Sequence, residues 1–168
     1  LPYQLYAEGK LSEHKKSFKI KLEAKNEVFG KKATGSPFII YAPGADILPR
    51  NYALLAGDSL TDEWTIDNEY HLQVYGPNGF FREFKGNESD PLLDVMCEYE
   101  SSPANKKNLT GKIALRLKNN SKQTLTIEVP DNAYKNKTQT KTLQAGTNTT
   151  LIIDAMKYQG WYDFSVKV

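Results

Sequence analysis

The sequence is poor in the residues on which most metal and nucleophilic sites depend. Its 168 residues include one cysteine, Cys97, and two histidines, His14 and His71. A single cysteine cannot form an internal disulfide, and metal sites usually combine several His, Cys or carboxylate ligands. We therefore expect Cys97 to be a packed thiol, and we predict neither a metal site nor a cofactor.

Arginine is also scarce. Of 22 basic residues only Arg50, Arg82 and Arg116 are arginines, and 20 acidic residues leave a net charge of +2. Such a balance gives little long-range attraction for a polyanion, and planar, two-pronged recognition of phosphate favours arginine over lysine. The sequence therefore predicts no nucleic-acid partner.

Long apolar runs and helical periodicity are both missing. No stretch approaches the roughly 18 apolar residues of a membrane-spanning helix, and no window places apolar residues at helical spacing. The chain begins at Leu1 in mid-pattern without a signal peptide. We expect it to be a mature piece of a longer protein.

What the sequence does contain is alternation. Apolar and polar residues alternate with period two in several short segments, which places one face of each on a core and the other in water. Turn signals such as Pro43-Gly44 and Pro130-Asp131 recur about every dozen residues. Many short strands with regular turns predict an all-β, antiparallel sandwich or barrel. The alternating segments are 18–23, 70–75, 113–118, 125–129 and 162–168.

These segments recur in the same order in the two halves of the chain. The matched pairs lie 87 to 95 residues apart, and the drift in spacing places insertions in loops, where they cost least. We predict two tandem β-sandwich units, residues 1–100 and 101–168, divided at the polar stretch 101–106. The pairs are Phe18-x-Ile20-x-Leu22 with Ile113-x-Leu115-x-Leu117, Pro43 with Pro130, Ala56-Gly57 with Ala145-Gly146, and Tyr70-x-Leu72-x-Val74 with Tyr162-x-Phe164-x-Val166.

One long phrase is distinctive: Tyr75-Gly76-Pro77-Asn78-Gly79-Phe80-Phe81-Arg82-Glu83-Phe84-Lys85-Gly86. It resembles the C-terminal repeat domain of bacterial phospholipases C of the phosphocholine-preferring type, both hemolytic and non-hemolytic. Gly160-Trp161-Tyr162 resembles the late strand of the second copy, and the resemblance extends over essentially the whole chain. We expect structural roles for the motif residues, which are Gly76, Pro77, Asn78, Gly79, Phe80, Arg82, Phe84, Gly160, Trp161 and Tyr162.

The resemblance implies a function for the whole enzyme. Enzymes of this type carry a large N-terminal catalytic domain, cleave phosphatidylcholine or sphingomyelin, and are exported. The chain is then a secreted or periplasmic, non-catalytic accessory module. Its expected partner is the catalytic domain of the same polypeptide, with a phospholipid surface as a second partner. The family would place a closing strand after Val168, so the second unit is expected to lack it. A free-standing carbohydrate- or protein-binding module is the alternative.

The long phrase also has a local interpretation. Pro77 suits the second position of a β-turn, Asn78 the third and Gly79 the fourth. The aromatic residues after the turn supply apolar burial on a return strand. We expect Arg82 to pair with a carboxylate or to stack on a ring, and contact with a lipid headgroup is the alternative.

Gly57-Asp58-Ser59-Leu60 spells the nucleophile signature of a lipase and esterase family. Those hydrolases place a helix after the serine and activate it with a later Asp-x-x-His pair, and neither His14 nor His71 follows an aspartate at that spacing. The matching turn of the second half, Gly146-Thr147-Asn148, indicates a repeated turn instead. We predict that the chain alone is not an enzyme.

Loop carboxylates leave one question open. Asp67, Glu69, Asp90 and Asp94 would form a calcium site only if their loops converge, which the sequence does not decide.

Overall fold

The computed structural model describes residues 1 to 168, and its regular structure is almost entirely antiparallel β-strand. The strands are β1 (Leu5–Leu11), β2 (Ser17–Ala24), β3 (Ser36–Tyr41), β4 (Arg50–Leu54), β5 (Ser59–Thr65), β6 (Glu69–Tyr75), β7 (Phe81–Asn87), β8 (Leu93–Ser102), β9 (Asn105–Asn119), β10 (Leu125–Val129), β11 (Gln139–Leu143) and β12 (Asn148–Asp154). Three 3-10 turns complete it: Gly30–Lys32, Pro77–Gly79 and Met156–Tyr158. None is long and apolar enough to cross a membrane. The all-β prediction is confirmed.

The chain divides into two compact units, Leu1–Asp90 and Pro91–Val168. Unit 1 has a three-stranded sheet of order β1-β2-β5 and a four-stranded sheet of order β4-β3-β6-β7. Alternate residues of the central strands point inward, so Ile20 and Leu22 from β2, Ile40 from β3 and Val74 from β6 are almost fully buried in one core. The period-two pattern thus positions this core as predicted.

Unit 2 repeats the arrangement with fewer paired residues. Its sheets have the orders β12-β9-β8 and β10-β11, and its core centres on Leu115, Leu117 and Ile127. The predicted strand over 162–168 forms only two isolated bridges. It runs beside β10, where Lys167 N–H donates to Glu128 O at 2.8 Å and Ser165 N–H donates to Pro130 O at 3.1 Å.

Corresponding residues of the two units make the same backbone contacts. Gly57 N–H donates to Ala24 O at 2.6 Å, and Gly146 N–H donates to Asn119 O at 2.9 Å. Ala24 ends β2 and Asn119 ends β9, so both links join a central strand to the repeated Ala-Gly turn. At the position that matches the apolar Ala24, unit 2 has the buried polar residue Asn119. Its side-chain Nδ2 donates to Gln123 O at 2.7 Å and to Leu143 O at 3.0 Å, so the buried amide has hydrogen-bond partners.

The boundary between the units lies about ten residues earlier than the predicted division at 100/101. Residues 93–99 belong to β8 and pair with β9, as in Cys97 opposite Leu115. The polar stretch 101–106 instead contains the turn that joins these two strands. A proline in a polar segment marks a turn equally well inside a hairpin and between domains, which explains the displaced prediction.

Candidate interaction surface

The distinctive phrase folds into the hairpin of β6 and β7, which pair from Glu69 opposite Asn87 to Tyr75 opposite Phe81. Phe80 N–H donates to Pro77 O at 3.1 Å, and Asn78 and Gly79 have φ of 56° and 75°. Pro77 therefore occupies the first position of the turn and Asn78 and Gly79 the two central positions, one place earlier than predicted. Asn-Gly at two positive φ values is the signature of a type I′ hairpin turn, whose twist matches that of the strands.

The inner side of this hairpin packs against the core of unit 1. The ring of Phe80 meets Phe38 edge-on at 5.9 Å, and Phe84 lies 5.4 Å from Phe18. The Arg82 guanidinium lies 4.6 Å from the centre of the Phe80 ring, so ring stacking, one of the two arrangements expected for Arg82, is present. Gly76 lies against Phe80, where an added Cβ would sit 3.2 Å from its ring.

The outer side of the same sheet carries an exposed cluster, here called the outer aromatic patch and defined as Ile39, Tyr41, Tyr75 and Phe81. Tyr75 lies between Ile39 on β3 and Phe81 on β7 in the strand register. The Tyr75 ring is 5.6 Å from Tyr41 and 5.0 Å from Phe81, and all three rings are about 40% exposed. Aromatic residues clustered on a strand face without cover are typical of a binding surface.

A polar group borders this patch. His71 Nε2 lies 2.5 Å from Glu83 Oε1, and Gln73 Nε2 donates to the same oxygen at 3.0 Å. These hydrogen bonds from Gln73 and His71 lower the pKa of Glu83 below its ordinary value. Tyr75 OH donates to Gln73 Oε1 at 3.3 Å, which links the polar border to the patch.

Sequence reasoning did not single out this patch. Tyr75 and Phe81 stand within the quoted phrase but were not among the expected motif residues, and Tyr41 lies outside it. A signal was present in β3, where Pro37-Phe38-Ile39-Ile40-Tyr41 is apolar at every position. A strand without polar alternation is apolar on both faces, so its outer face required an explanation.

The second motif, Gly160-Trp161-Tyr162, lies after a 3-10 turn and not within a strand. Gly160 has φ of 88°, and Trp161 N–H donates to Tyr158 O at 3.0 Å. Trp161 is 62% exposed, whereas Trp64 is buried in unit 1. An indole ring this exposed contributes little to a core. The structural role expected for Trp161 therefore stays a prediction.

The remaining candidates for catalysis or metal binding lie in different elements of unit 1. Ser59 begins β5 opposite Glu23, His14 lies in the turn between β1 and β2, and His71 contacts Glu83. No group of three or more His, Cys, Asp or Glu side chains is arranged to hold a metal ion. Asp90 accepts hydrogen bonds from Tyr70 OH at 2.9 Å and Asn87 N–H at 2.8 Å, so this loop carboxylate fastens the end of the hairpin.

Comparison with known proteins decides the family. The sequence-family model described as bacterial phospholipase C, C-terminal domain, matches residues 1–87 and 94–168, which correspond to the two units. The chain belongs to this family. The non-hemolytic phospholipase C of Burkholderia pseudomallei is 31% identical over 99% of the chain. The non-hemolytic phospholipase C of Pseudomonas aeruginosa is 31% identical over 70%, and the hemolytic enzyme of the same organism is 31% identical over 65%.

Membership of the phospholipase C C-terminal family explains why the repeat and the hairpin phrase could be recognised in the sequence. The chain spans only about a fifth of the length of these relatives: 23% of the Burkholderia enzyme and 18% and 15% of the two Pseudomonas enzymes.

Proposed function

We propose that the chain is the non-catalytic accessory part of a secreted or periplasmic bacterial phospholipase C, and that it docks on the catalytic domain of the same polypeptide. The observation that carries this proposal is the outer aromatic patch. Two of its four residues, Tyr75 and Phe81, belong to the hairpin of the distinctive family phrase, and the other two lie on the adjacent strand β3. Three adjacent rings face solvent there.

The form of the patch suits a protein partner. Tyrosine and phenylalanine are enriched at the centres of protein interfaces, where a polar rim surrounds them. Tyr41, Tyr75 and Phe81 lie on strand faces, and the Glu83 carboxylate with its two hydrogen-bond donors forms one border. A folded domain with a complementary apolar area and a basic group opposite Glu83 fits this surface.

The proposed non-catalytic role rests on the geometry around Ser59. Hydrolysis by a serine requires a base within hydrogen-bonding distance and a third group that orients it. The cross-strand neighbour of Ser59 is Glu23, which forms an ion pair with Lys21 at 2.9 Å. His71 is on the four-stranded sheet with Glu83.

One observation favours a phospholipid surface as a second partner. The loop between β3 and β4 exposes Ile47 by 50% and Leu48 by 87%. Two neighbouring aliphatic side chains in an exposed loop suit shallow insertion between lipid headgroups. Exposed lysines such as Lys31 and Lys106 would each add about 1 kcal/mol near anionic lipid.

The proposal is tested by presenting both partners separately. The chain is mixed with the separately expressed catalytic domain in a pull-down and with phosphatidylcholine liposomes in a co-sedimentation assay. We expect retention by the catalytic domain and weak sedimentation with liposomes. Tight liposome binding without any pull-down would reverse the order of the two partners.

The non-catalytic role has its own assay. The isolated chain is incubated with phosphatidylcholine, with and without divalent metal, beside the Ser59→Ala variant. We expect no hydrolysis above the buffer rate from either protein. Turnover by the chain that disappears in Ser59→Ala would show that it is an enzyme.

A further inference from the structure

Unit 2 contains a shallow cleft that the proposed function does not use. It forms where the loop after β10, the 3-10 turn after β12 and the segment around Trp161 come together, and four of its walls are the rings of Tyr134, Tyr158, Trp161 and Tyr162. The rings of Tyr134 and Tyr158 stack at 4.5 Å, and Tyr158 OH donates to Tyr134 O at 3.1 Å. These contacts hold two of the three segments together.

The remaining polar walls are mainly carboxylates. Asp131, Asp154 and Asp163 line the cleft, and no lysine or arginine does, although Lys135, Lys137 and Lys157 belong to the same loops. In a chain with a net charge of +2, this is a local reversal of charge. The faces of aromatic rings and the oxygens of carboxylates both attract cations.

Each of these carboxylates accepts hydrogen bonds within the unit. Although burial acts to raise the pKa of Asp131, hydrogen bonds from Tyr134 N–H and the Asn136 side chain lower it overall, so it is ionised at neutral pH. Asp154 and Asp163 each accept one protein hydrogen bond, from Met156 N–H at 3.0 Å and from Asn132 Nδ2 at 2.8 Å. In both residues the bond is accepted by Oδ1, and a carboxylate has two acceptor oxygens.

Two donor groups of the cleft are already used within the protein. The Asn136 amide donates to Asp131, and the Tyr158 hydroxyl donates to Tyr134 O. A sugar presents hydroxyls that need donors as well as acceptors. A cleft of ring faces and ionised acceptors is better matched by an organic cation.

The internal repeat supplies a comparison within the chain. Pro43 and Pro130 are matched positions, and the loop after Pro43 reads Gly44-Ala45-Asp46-Ile47-Leu48 where the loop after Pro130 reads Asp131-Asn132-Ala133-Tyr134-Lys135. The shared sandwich therefore does not require Asp131 or Tyr134. These residues distinguish the second copy from the first.

We propose that this cleft of unit 2 binds an alkylammonium group, with Trp161, Tyr134 and Tyr158 against its methyl groups and Asp154 and Asp163 as counter-charges. A quaternary ammonium is the best match because it presents charge without donors and rests on ring faces. The inference is independent of the proposed docking through unit 1.

Two tryptophans make the test direct, since each gives one indole N–H signal in a ¹H–¹⁵N spectrum of the chain. Tetramethylammonium chloride is titrated against sodium chloride at equal ionic strength. We expect a saturable shift of the Trp161 signal, while the signal of Trp64, buried against Arg50 at 4.5 Å, stays in place. Absence of a saturable shift would overturn the proposal.

A neutral isostere separates charge from shape. Choline and 3,3-dimethylbutan-1-ol differ in the charge at one central atom, and we expect the alcohol to bind at least tenfold more weakly. Equal binding of the two, or saturation by methyl glucoside alone, would contradict a cation site. Adding vesicles with trimethylammonium or ethanolamine headgroups then distinguishes a lipid source of the cation from a free solute.

Variants provide the final control. Asp163→Asn removes a counter-charge and should weaken choline binding about tenfold, and Trp161→Ala should weaken it by at least as much. Asp46→Asn changes an exposed carboxylate in the matching loop of unit 1 and should leave binding unchanged. Equal effects of Asp163→Asn and Asp46→Asn would show that only the overall charge matters.

Discussion

At the scale of single residues, close approach determines which positions tolerate change. A Cβ added to Gly9 would lie 2.5 Å from a ring carbon of Phe84 and 2.6 Å from one of Phe18. We expect Gly9→Ala to lower the unfolding free energy of unit 1 by about 1–3 kcal/mol because these rings cannot both move aside. Urea unfolding measures the cost. In a Phe84→Leu background the cost should shrink, and an equal cost in both backgrounds would show that Phe84 is not the obstacle.

A second residue-scale prediction concerns pH. Asp62 Oδ2 accepts from Arg50 Nη1 at 2.8 Å and from Tyr52 OH at 2.5 Å, joining β5 to β4. Burial acts to raise the pKa of Asp62, but these hydrogen bonds lower it overall. Since the folded pKa lies below the unfolded value of about 3.9, the ionised carboxylate stabilises the fold above that pH, and the stabilisation is lost as pH falls through the folded pKa.

We therefore expect Asp62→Asn to cost about 1 kcal/mol at pH 7, a modest value because the pair is partly exposed. The difference between the variant and the unchanged chain should narrow below pH 4, as measured by urea unfolding at several pH values. A difference that stays constant from pH 7 to pH 2 would exclude the ionised carboxylate as its source.

At this scale, the sequence predicted the strand face on which a side chain lies better than it predicted the residue that the side chain contacts. Alternation placed His71 on the polar face of its strand, which the structure bears out, but Glu83 as its partner depends on the register of β7. For Arg82 the sequence offered a carboxylate or a ring, and its contact with the Phe80 ring follows from packing that the sequence pattern does not show. A partner across strands is set by register, which a single strand's pattern does not contain.

At the scale of secondary-structure elements, the strands with clean alternation were predictable and the turns less so. β2, β6 and β10 follow their patterns, whereas the turn at Pro77 was placed one residue early, at 76–79 instead of 77–80. Proline favours the second position of common turns, but Asn-Gly favours the two central positions of a hairpin turn. The hairpin preference prevailed because the two strands twist together.

The turn makes a prediction for Asn78, whose φ is 56°. A branched side chain is strained there, so Asn78→Val should cost about 1–2 kcal/mol in urea unfolding. Asn78→Gly, which accepts positive φ freely, should change stability by less than about 0.5 kcal/mol. If valine and glycine proved equivalent, the turn assignment would be wrong.

The last segment of unit 2 is paired less regularly than the strands of the unit. Residues 163–167 join β10 through isolated bridges, whereas β6 of unit 1 is flanked by both β3 and β7. We expect the amides of Ser165 and Lys167 to exchange with deuterium at least tenfold faster than those of the buried centre of β9. Protection equal to that at Leu115 would contradict this.

At the scale of the whole molecule, the repeat could be predicted from the sequence, but its exact limits could not. The first matched pair lies in the central strands β2 and β9, where burial constrains the residues, and both members belong to the core of their unit. The last matched pair, 70–74 with 162–166, differs in register between the units. Tyr41 pairs with Gln73 in unit 1, whereas its counterpart Glu128 pairs with Lys167 in unit 2. Lys167 lies two residues beyond Ser165, which the sequence match makes the counterpart of Gln73. A shift of two keeps the same face inward, so the sequence pattern did not reveal it.

The central claim is that unit 1 docks on the catalytic domain through the outer aromatic patch. Its most direct test is a calorimetric titration of the separately expressed catalytic domain with the chain and with its Tyr75→Ser/Phe81→Ser variant. Leu48→Ser, which changes an exposed residue outside the patch, is the matched control. The account predicts that the double variant binds at least tenfold more weakly and that Leu48→Ser binds like the unchanged chain. Unchanged affinity of the double variant, with its fold intact by circular dichroism, would contradict the claim.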